Sequence, residues 1–248
     1  MKSVLVTGVS SGIGNTLAKK LIKKGFKVWG IARRKKLLKD LKKELQSDNF
    51  FYTVADVTDE NFWDKLIKNL NNRKFLPDII ILNAAIRKND LENGIDLKTL
   101  REIMEINFFA VLKGVKVISE NFSRKLHFIT ISSTSAFKGS YVEGIGYAAS
   151  KGALTIAFES LFQKHLDSNI NFTTIFLGPV RTGMMRFTKS PPFILSVDKT
   201  AEYIIGAIES KKPFLYYPKI AFMILSIMRL LPNQVFFRIW TKLQKQYI

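Results

Sequence analysis

Tyr147 and Lys151 stand four residues apart in the run Gly144-Ile145-Gly146-Tyr147-Ala148-Ala149-Ser150-Lys151. If the run opens a helix, that spacing sets a phenol and an ammonium on one face, one turn apart. A tyrosine in water, with a pKa of about 10, is a poor acid or base near neutrality, and a fixed positive charge beside it favours the tyrosinate. The pair reads as a general acid/base, or else as an exposed helix turn, since chance also produces this spacing. Competing chemistries are fewer. The chain has no cysteine, which removes disulfides, thiolate metal sites and a Cys nucleophile, and its two histidines, His127 and His165, are too few and too far apart for a metal cage.

The 248 residues are 47% hydrophobic, enough for one large α/β core or two small ones. Formal charge is +19, from 39 Lys and Arg against 20 Asp and Glu, which admits an acidic partner: nucleic acid, an anionic membrane, a phosphorylated cofactor or an acidic carrier protein. Twelve of the cations lie between Lys19 and Lys43 beside a single acid, Asp40. With no interleaved aromatics and no nucleic-acid motif they read as solvated helix faces, so nucleic acid is not an expected partner. The chain enters Val4-Leu5-Val6 with no signal-peptide core, and a cytoplasmic location is expected. The apolar run from Ile220 to Leu231 is interrupted by Arg229 and falls short of the roughly 20 residues of a spanning helix; it suits lying on a membrane better than crossing one.

The elements that must position the Tyr/Lys pair alternate. Ser3 to Thr7 is a short apolar strand, followed by Gly8, by Gly12-Ile13-Gly14, and by a helical pattern carrying Leu17, Ala18, Leu21 and Ile22. Strand, glycine turn and helix is the context in which a dinucleotide pyrophosphate approaches the free N–H groups of a helix start, and Ser10 and Ser11 lie in that turn. A second strand, Phe26 to Ala32, ends in Arg33-Arg34-Lys35-Lys36. An acid at that point would hold a ribose 2′-hydroxyl, whereas Arg33, with Ser11 adding a hydroxyl, accommodates a 2′-phosphate and favours NADP(H) over NAD; a basic helix start would look the same.

Alternation continues with a helix from about Lys35 to Gln46, a strand from Phe50 to Ala55, a helix from Asn61 to Leu70 and a strand from Asp78 to Leu82, which implies a parallel sheet. Ligands of such sheets bind beyond the strands' carboxyl ends, where Asp56-Val57 and Asn83-Ala84-Ala85 lie. Asp56 could accept from an adenine amino group, or simply cap a turn. A long helix from about Leu97 to Ser119 carries Asn107 in an apolar turn, where its amide needs partners. A strand from Leu126 to Ile131 ends in Ser132-Ser133-Thr134-Ser135, the helix of Tyr147 runs to about His165, and a strand from Asn171 to Leu177 leads to Gly178-Pro179-Val180-Arg181-Thr182. Between Met184 and Leu195 bulky apolar residues, Met185 and Phe187 among them, suit a cover over a lipophilic substrate or an oligomer contact.

Taken in order, these residues resemble the short-chain dehydrogenase/reductase family: Thr7-Gly8-x-x-x-Gly12-Ile13-Gly14, Asp56, Asn83-Ala84-Ala85, Asn107, Ser133, Tyr147-x-x-x-Lys151 and Gly178 to Thr182, over about residues 3 to 217. The resemblance implies an α/β fold, a Rossmann-like doubly wound parallel sheet of about seven strands with helices on both faces. It makes Tyr147 the general acid or base and Ser133 the hydroxyl that orients the substrate oxygen. Lys151 lowers the tyrosine pKa and holds the nicotinamide ribose, and Asn107 supports a water-mediated relay to that lysine. Val180 and Thr182 fall in the segment that fixes the nicotinamide carboxamide. Two departures stand out. Ser133 precedes Tyr147 by fourteen residues, one more than usual, while Thr134 keeps the usual spacing and is the alternative hydroxyl; and the asparagine-rich turn that normally ends in glycine reads Asn83-Ala84-Ala85.

The last third is similar to hydroxysteroid dehydrogenases and related membrane-associated reductases. Lys219 to Ile248 holds five Lys or Arg and no acid among many Phe, Ile, Leu and Met, a short amphipathic pair broken near Pro232. It suits the inner face of an anionic membrane, a second subunit or the wall of the substrate pocket. The expected organisation is an NADP-binding catalytic domain over 1–217 and a helical extension over 218–248. The expected activity is an NADP(H)-dependent oxidoreductase for a lipophilic alcohol or carbonyl, a homodimer or homotetramer by family habit. A 3-oxoacyl-thioester reductase served by an acidic carrier and a non-catalytic NADP-binding module are the alternatives.

Overall fold

The computed structural model describes residues 1–139, 144–184 and 191–245. Seven strands form one wholly parallel sheet: β1 (Ser3–Thr7), β2 (Lys27–Ala32), β3 (Phe50–Val54), β4 (Ile79–Leu82), β5 (Leu126–Ser133), β6 (Ile170–Leu177) and β7 (Phe214–Tyr217). Their order is β3-β2-β1-β4-β5-β6-β7, so the chain reverses its direction of travel across the sheet between β1 and β4. That reversal opens a crevice at the strands' carboxyl ends.

Strand alternation explains the two helical layers. Val4 and Val6 of β1 point to one face and Leu5 to the other, and all three are fully buried. On the Val4 side lie Leu17 and Leu21 of α1 (Gly12–Lys23), Leu38 and Leu41 of α2 (Lys35–Leu45), and Ile204 and Ile208 of α7 (Val197–Ser210). On the Leu5 side lie Trp63 and Leu66 of α3 (Phe62–Asn72), Val115 and Ile118 of α5 (Ala110–Asn121), and Leu154 and Phe158 of α6 (Ile145–Lys164). The doubly wound arrangement read from the sequence is the arrangement found. Neither α7 nor β7 was individually legible there; the seventh strand was implied only by the resemblance.

Three local differences bear on the site. β5 runs two residues past the expected Ile131, because Ser132 and Ser133 keep pairing with Phe176 and Leu177 of β6. The long helix is continuous from α4 (Leu97–Met104) into α5 but contains a π turn, Glu105–Phe109, in which the Ala110 N–H reaches back five residues to the Glu105 carbonyl. Such turns interrupt the regular register and are frequent at functional sites. Leu195, expected in a substrate cover, instead joins the core, its N–H donating to the Pro179 carbonyl at 2.8 Å. Residues 185–190 of that expected cover, Met185 and Phe187 among them, lie outside the described residues. After β7 come α8 (Lys219–Arg229) and α9 (Asn233–Lys245). Among the described residues no helix is long and apolar enough to cross a membrane.

Candidate active site

A groove of about 670 Å³ follows the carboxyl ends of the strands. Its first end is shaped by three glycines. Gly8 and Gly12 have φ of +79° and +55°, values that side chains disfavour. A Cβ on Gly8 would lie 2.9 Å from Asn83 Nδ2 and 3.0 Å from the Ala84 Cα, and one on Gly14 would collide with the Gly8 carbonyl. The start of α1 is thereby drawn against the ends of β1 and β4. Its N-cap, Ser11, makes no capping bond, so the first amides of α1 are not satisfied by a cap, the condition under which a helix start holds phosphate.

The cations expected at β2 are present, with their duties redistributed. Arg33 donates from Nη1 to Asp56 Oδ2 at 3.2 Å. Arg34 donates from Nε and Nη2 to Ser10 Oγ at 3.0 and 2.8 Å and also reaches Ser11 Oγ. Arg34, not singled out from the basic run, is thus the arginine on the glycine turn. Burial raises the pKa of Asp56, but hydrogen bonds from Thr58 and Arg33 outweigh it and hold the carboxyl below its ordinary value. Asn83 lines the groove yet acts as a tie: its Nδ2 donates to the Thr7 carbonyl at 3.0 Å, while its own N–H and that of Ala84 both donate to Thr7 Oγ1 at 3.0 Å. Ile13, Val57, Val180 and Thr182 all line the same groove.

At the other end Tyr147 and Lys151 share the wall with Ser133 and Thr134. The four-residue spacing is helical, and Lys151 Nζ lies 5.8 Å from the Tyr147 ring centroid. Lys151 is 4% exposed, donates to the Ile131 carbonyl at 2.7 Å, and is pushed down to about 8 by burial. Ser133 ends β5, its Oγ accepting from the Ser135 N–H at 3.2 Å; Thr134 begins the 3-10 turn that follows.

Asn107 and Gly14 stand behind the groove wall rather than on it. The buried Asn107 amide accepts from the Ile86 N–H at 2.9 Å and donates to the Ile86 carbonyl at 2.9 Å and to Ser150 Oγ at 3.1 Å. Both amide hydrogens are committed, so this side chain pins the segment after β4 to α6.

One residue went unread. Asp90, 1% exposed, accepts from the N–H groups of Ile145 and Gly146, the latter at 2.7 Å, and so caps the helix that carries Tyr147. Gly144 supplies no capping side chain of its own, and its φ is +78°. A Cβ there would collide with Asp90 Oδ1, and one on Gly146 would stand 2.8 Å from Oδ2. Two glycines just ahead of the tyrosine, at a helix start without a Ser, Thr or Asp cap, were the available signal.

A family model described as short chain dehydrogenase matches residues 2–191. A fatty acyl-CoA reductase of Acinetobacter baylyi is 29% identical over 214 residues, 84% of this chain and 72% of that protein. A 3-oxoacyl-[acyl-carrier-protein] reductase of Buchnera aphidicola is 27% identical over 183 residues, 73% of this chain and 74% of its own length. Among solved structures, a short-chain dehydrogenase from Sphingobium yanoikuyae in complex with NADPH superposes with a TM-score of 0.78 at 19% identity, covering 94% of this chain and 97% of that one.

Proposed function

This chain belongs to the short-chain dehydrogenase family, and from that premise we propose that it is an NADP(H)-dependent oxidoreductase interconverting a lipophilic alcohol and its carbonyl. The observation that carries the reading is a single groove with an arginine-serine cluster at one end and a buried lysine one helical turn from a tyrosine at the other. The residues fit the cofactor: glycines leave room for a pyrophosphate at the start of α1, and Arg34, Ser10, Ser11 and Arg33 supply donors for a 2′-phosphate. NADPH in the Sphingobium structure agrees with that choice.

When bound, the nicotinamide supplies hydride to the carbonyl carbon. Tyr147 gives its phenolic proton to the carbonyl oxygen, and Lys151 stabilises the resulting tyrosinate, so the reverse reaction has a base ready. Ser133, or Thr134 beside it, holds the substrate oxygen. Asn107 and Asp90 position the helix. The fatty acyl-CoA reductase among the relatives supports a lipophilic substrate. A 3-oxoacyl thioester on an acidic carrier is the second reading, favoured by the Buchnera relative and the +19 charge. It predicts turnover that falls steeply with salt for carrier-bound substrate and stays flat for free ketones.

The test is oxidation of NADPH and of NADH by purified protein against ketones, aldehydes and acyl thioesters. Tyr147→Phe should lose on the order of a thousandfold in kcat with NADPH affinity kept within about twofold. Undiminished turnover in that variant overturns the assignment, and saturation only by small polar carbonyls overturns the lipophilic substrate.

A further inference from the structure

Of twenty-one exposed large apolar side chains among the described residues, nine fall between Ile220 and Ile239, which makes the C-terminal helices the place where burial fails. On α8 the failure is patterned. Phe222 and Leu225 turn inward and are buried, while Ile220, Met223, Ile224 and Ile227 recur at helical spacing on the other side, 42–65% exposed, and Leu230 continues the stripe at 86%. No charged side chain interrupts it between Lys219 and Arg229. On α9 the inward side holds Phe236, stacked with Trp240, and the exposed side carries Arg238, Lys242 and Lys245 at positions i, i+4 and i+7. The two helices are joined where the Arg229 guanidinium lies 5.0 Å from the Phe236 ring centroid.

An exposed apolar stripe on one helix and a row of exposed cations on the helix joined to it fit a surface whose interior is hydrocarbon and whose rim is anionic. A second copy of this chain fits less well. Residues 219–248 hold five cations and no acid, so docking the stripe on itself would bring like charges together. We propose that α8 and α9 form a docking surface for an anionic bilayer, α8 burying its apolar stripe at the headgroup boundary and α9 setting Arg238, Lys242 and Lys245 against lipid phosphates. The same helices rest on the segment following Ser133, with Phe222 6.0 Å from the Phe137 ring and Lys138 Nζ 3.5 Å from the Trp240 ring centroid, so docking brings the reaction end of the groove toward the lipid.

The proposal stands apart from the catalytic reading, and its test does not use turnover. Flotation of the full chain with vesicles of phosphatidylcholine alone, and of phosphatidylcholine mixed with phosphatidylglycerol, should show binding to the anionic vesicles and little to the neutral ones. The double variant Ile224→Glu with Ile227→Glu should weaken that binding at least about tenfold, and each Ser replacement at Arg238, Lys242 or Lys245 about fivefold. The double variant Ile156→Glu with Leu166→Glu, an equal charge change at two exposed sites outside the tail, should leave it intact. Absence of binding to anionic vesicles, or binding that the double variant does not weaken, overturns the proposal. So does a soluble oligomer that the double variant dissociates in sedimentation velocity while vesicles go unbound, since the stripe would then face a second copy.

Discussion

At the glycine-turn end of the groove, close approach is achieved by omission: Gly8 and Gly14 have no Cβ, and the main chains of β1, α1 and β4 meet where side chains would stand. The Tyr147 end is built by pairing, with Lys151 on the Ile131 carbonyl, Asn107 on Ile86 and Ser150, and Asp90 on the first amides of α6. The difference lies in how each end tolerates change. A surface shaped by missing atoms fails when anything is added, while one held by hydrogen bonds loosens when a partner is altered and keeps its shape otherwise.

Among changes to how the two ends are built, as distinct from loss of the Tyr147 hydroxyl itself, the largest effect should come from adding atoms at the first end. Gly14→Val places branched carbon against the Gly8 carbonyl and Asn83, and should lower NADPH affinity by at least about a hundredfold while destabilising the fold by roughly 1–3 kcal/mol. Near-normal NADPH titration of the variant would remove the idea that omission shapes this end. At the other end a single altered partner should do less. Asp90→Asn turns donors toward the amides of Ile145 and Gly146, and kcat should fall about tenfold with NADPH affinity within about twofold. Equal losses in both quantities would make Asp90 a general stabiliser rather than a positioning residue.

The smallest effect separates the ends by titration. Burial lowers Lys151 to about 8, so between that value and the ordinary 10.5 the unfolded chain binds more protons than the folded one. Stability of the cofactor-free protein should therefore rise with pH across that window and be lowest below pH 8. From pH 7 to 8.5 the gain is on the order of 1 kcal/mol, absent in Lys151→Met. Parallel denaturation curves for the two proteins over that range would contradict it. Asp56, the acid at the glycine-turn end, is held low and contributes nothing there.

The sequence was readable where local pattern and local structure coincide. Strand alternation at Val4-Leu5-Val6, the glycine spacing after Thr7 and the four-residue step from Tyr147 to Lys151 are each properties of a few consecutive residues. Asp90 escaped because its partners lie 55 and 56 residues further along, and its own surroundings, Lys88-Asn89-Asp90-Leu91-Glu92-Asn93, look like a solvated loop. Arg34 was hidden among four consecutive cations. The π turn around Asn107 has no sequence signature: the run Glu105-Ile106-Asn107-Phe108-Phe109 would fit an ordinary α-helix as well. The alternatives left open for the tail could not be separated before exposure was known residue by residue.

Phe222 meets the rings of Phe137, Phe176 and Tyr216, with centroids 5.0–6.0 Å apart. Its neighbour in the fold, β7, is a four-residue strand at the edge of the sheet. Cutting the chain back at Pro218 would strip that aromatic cluster of its cover and leave it beside an unpaired strand edge, a surface that recruits other chains. For anyone trimming this protein toward a smaller soluble enzyme, α8 is better kept and its outward stripe recoloured with polar residues than removed.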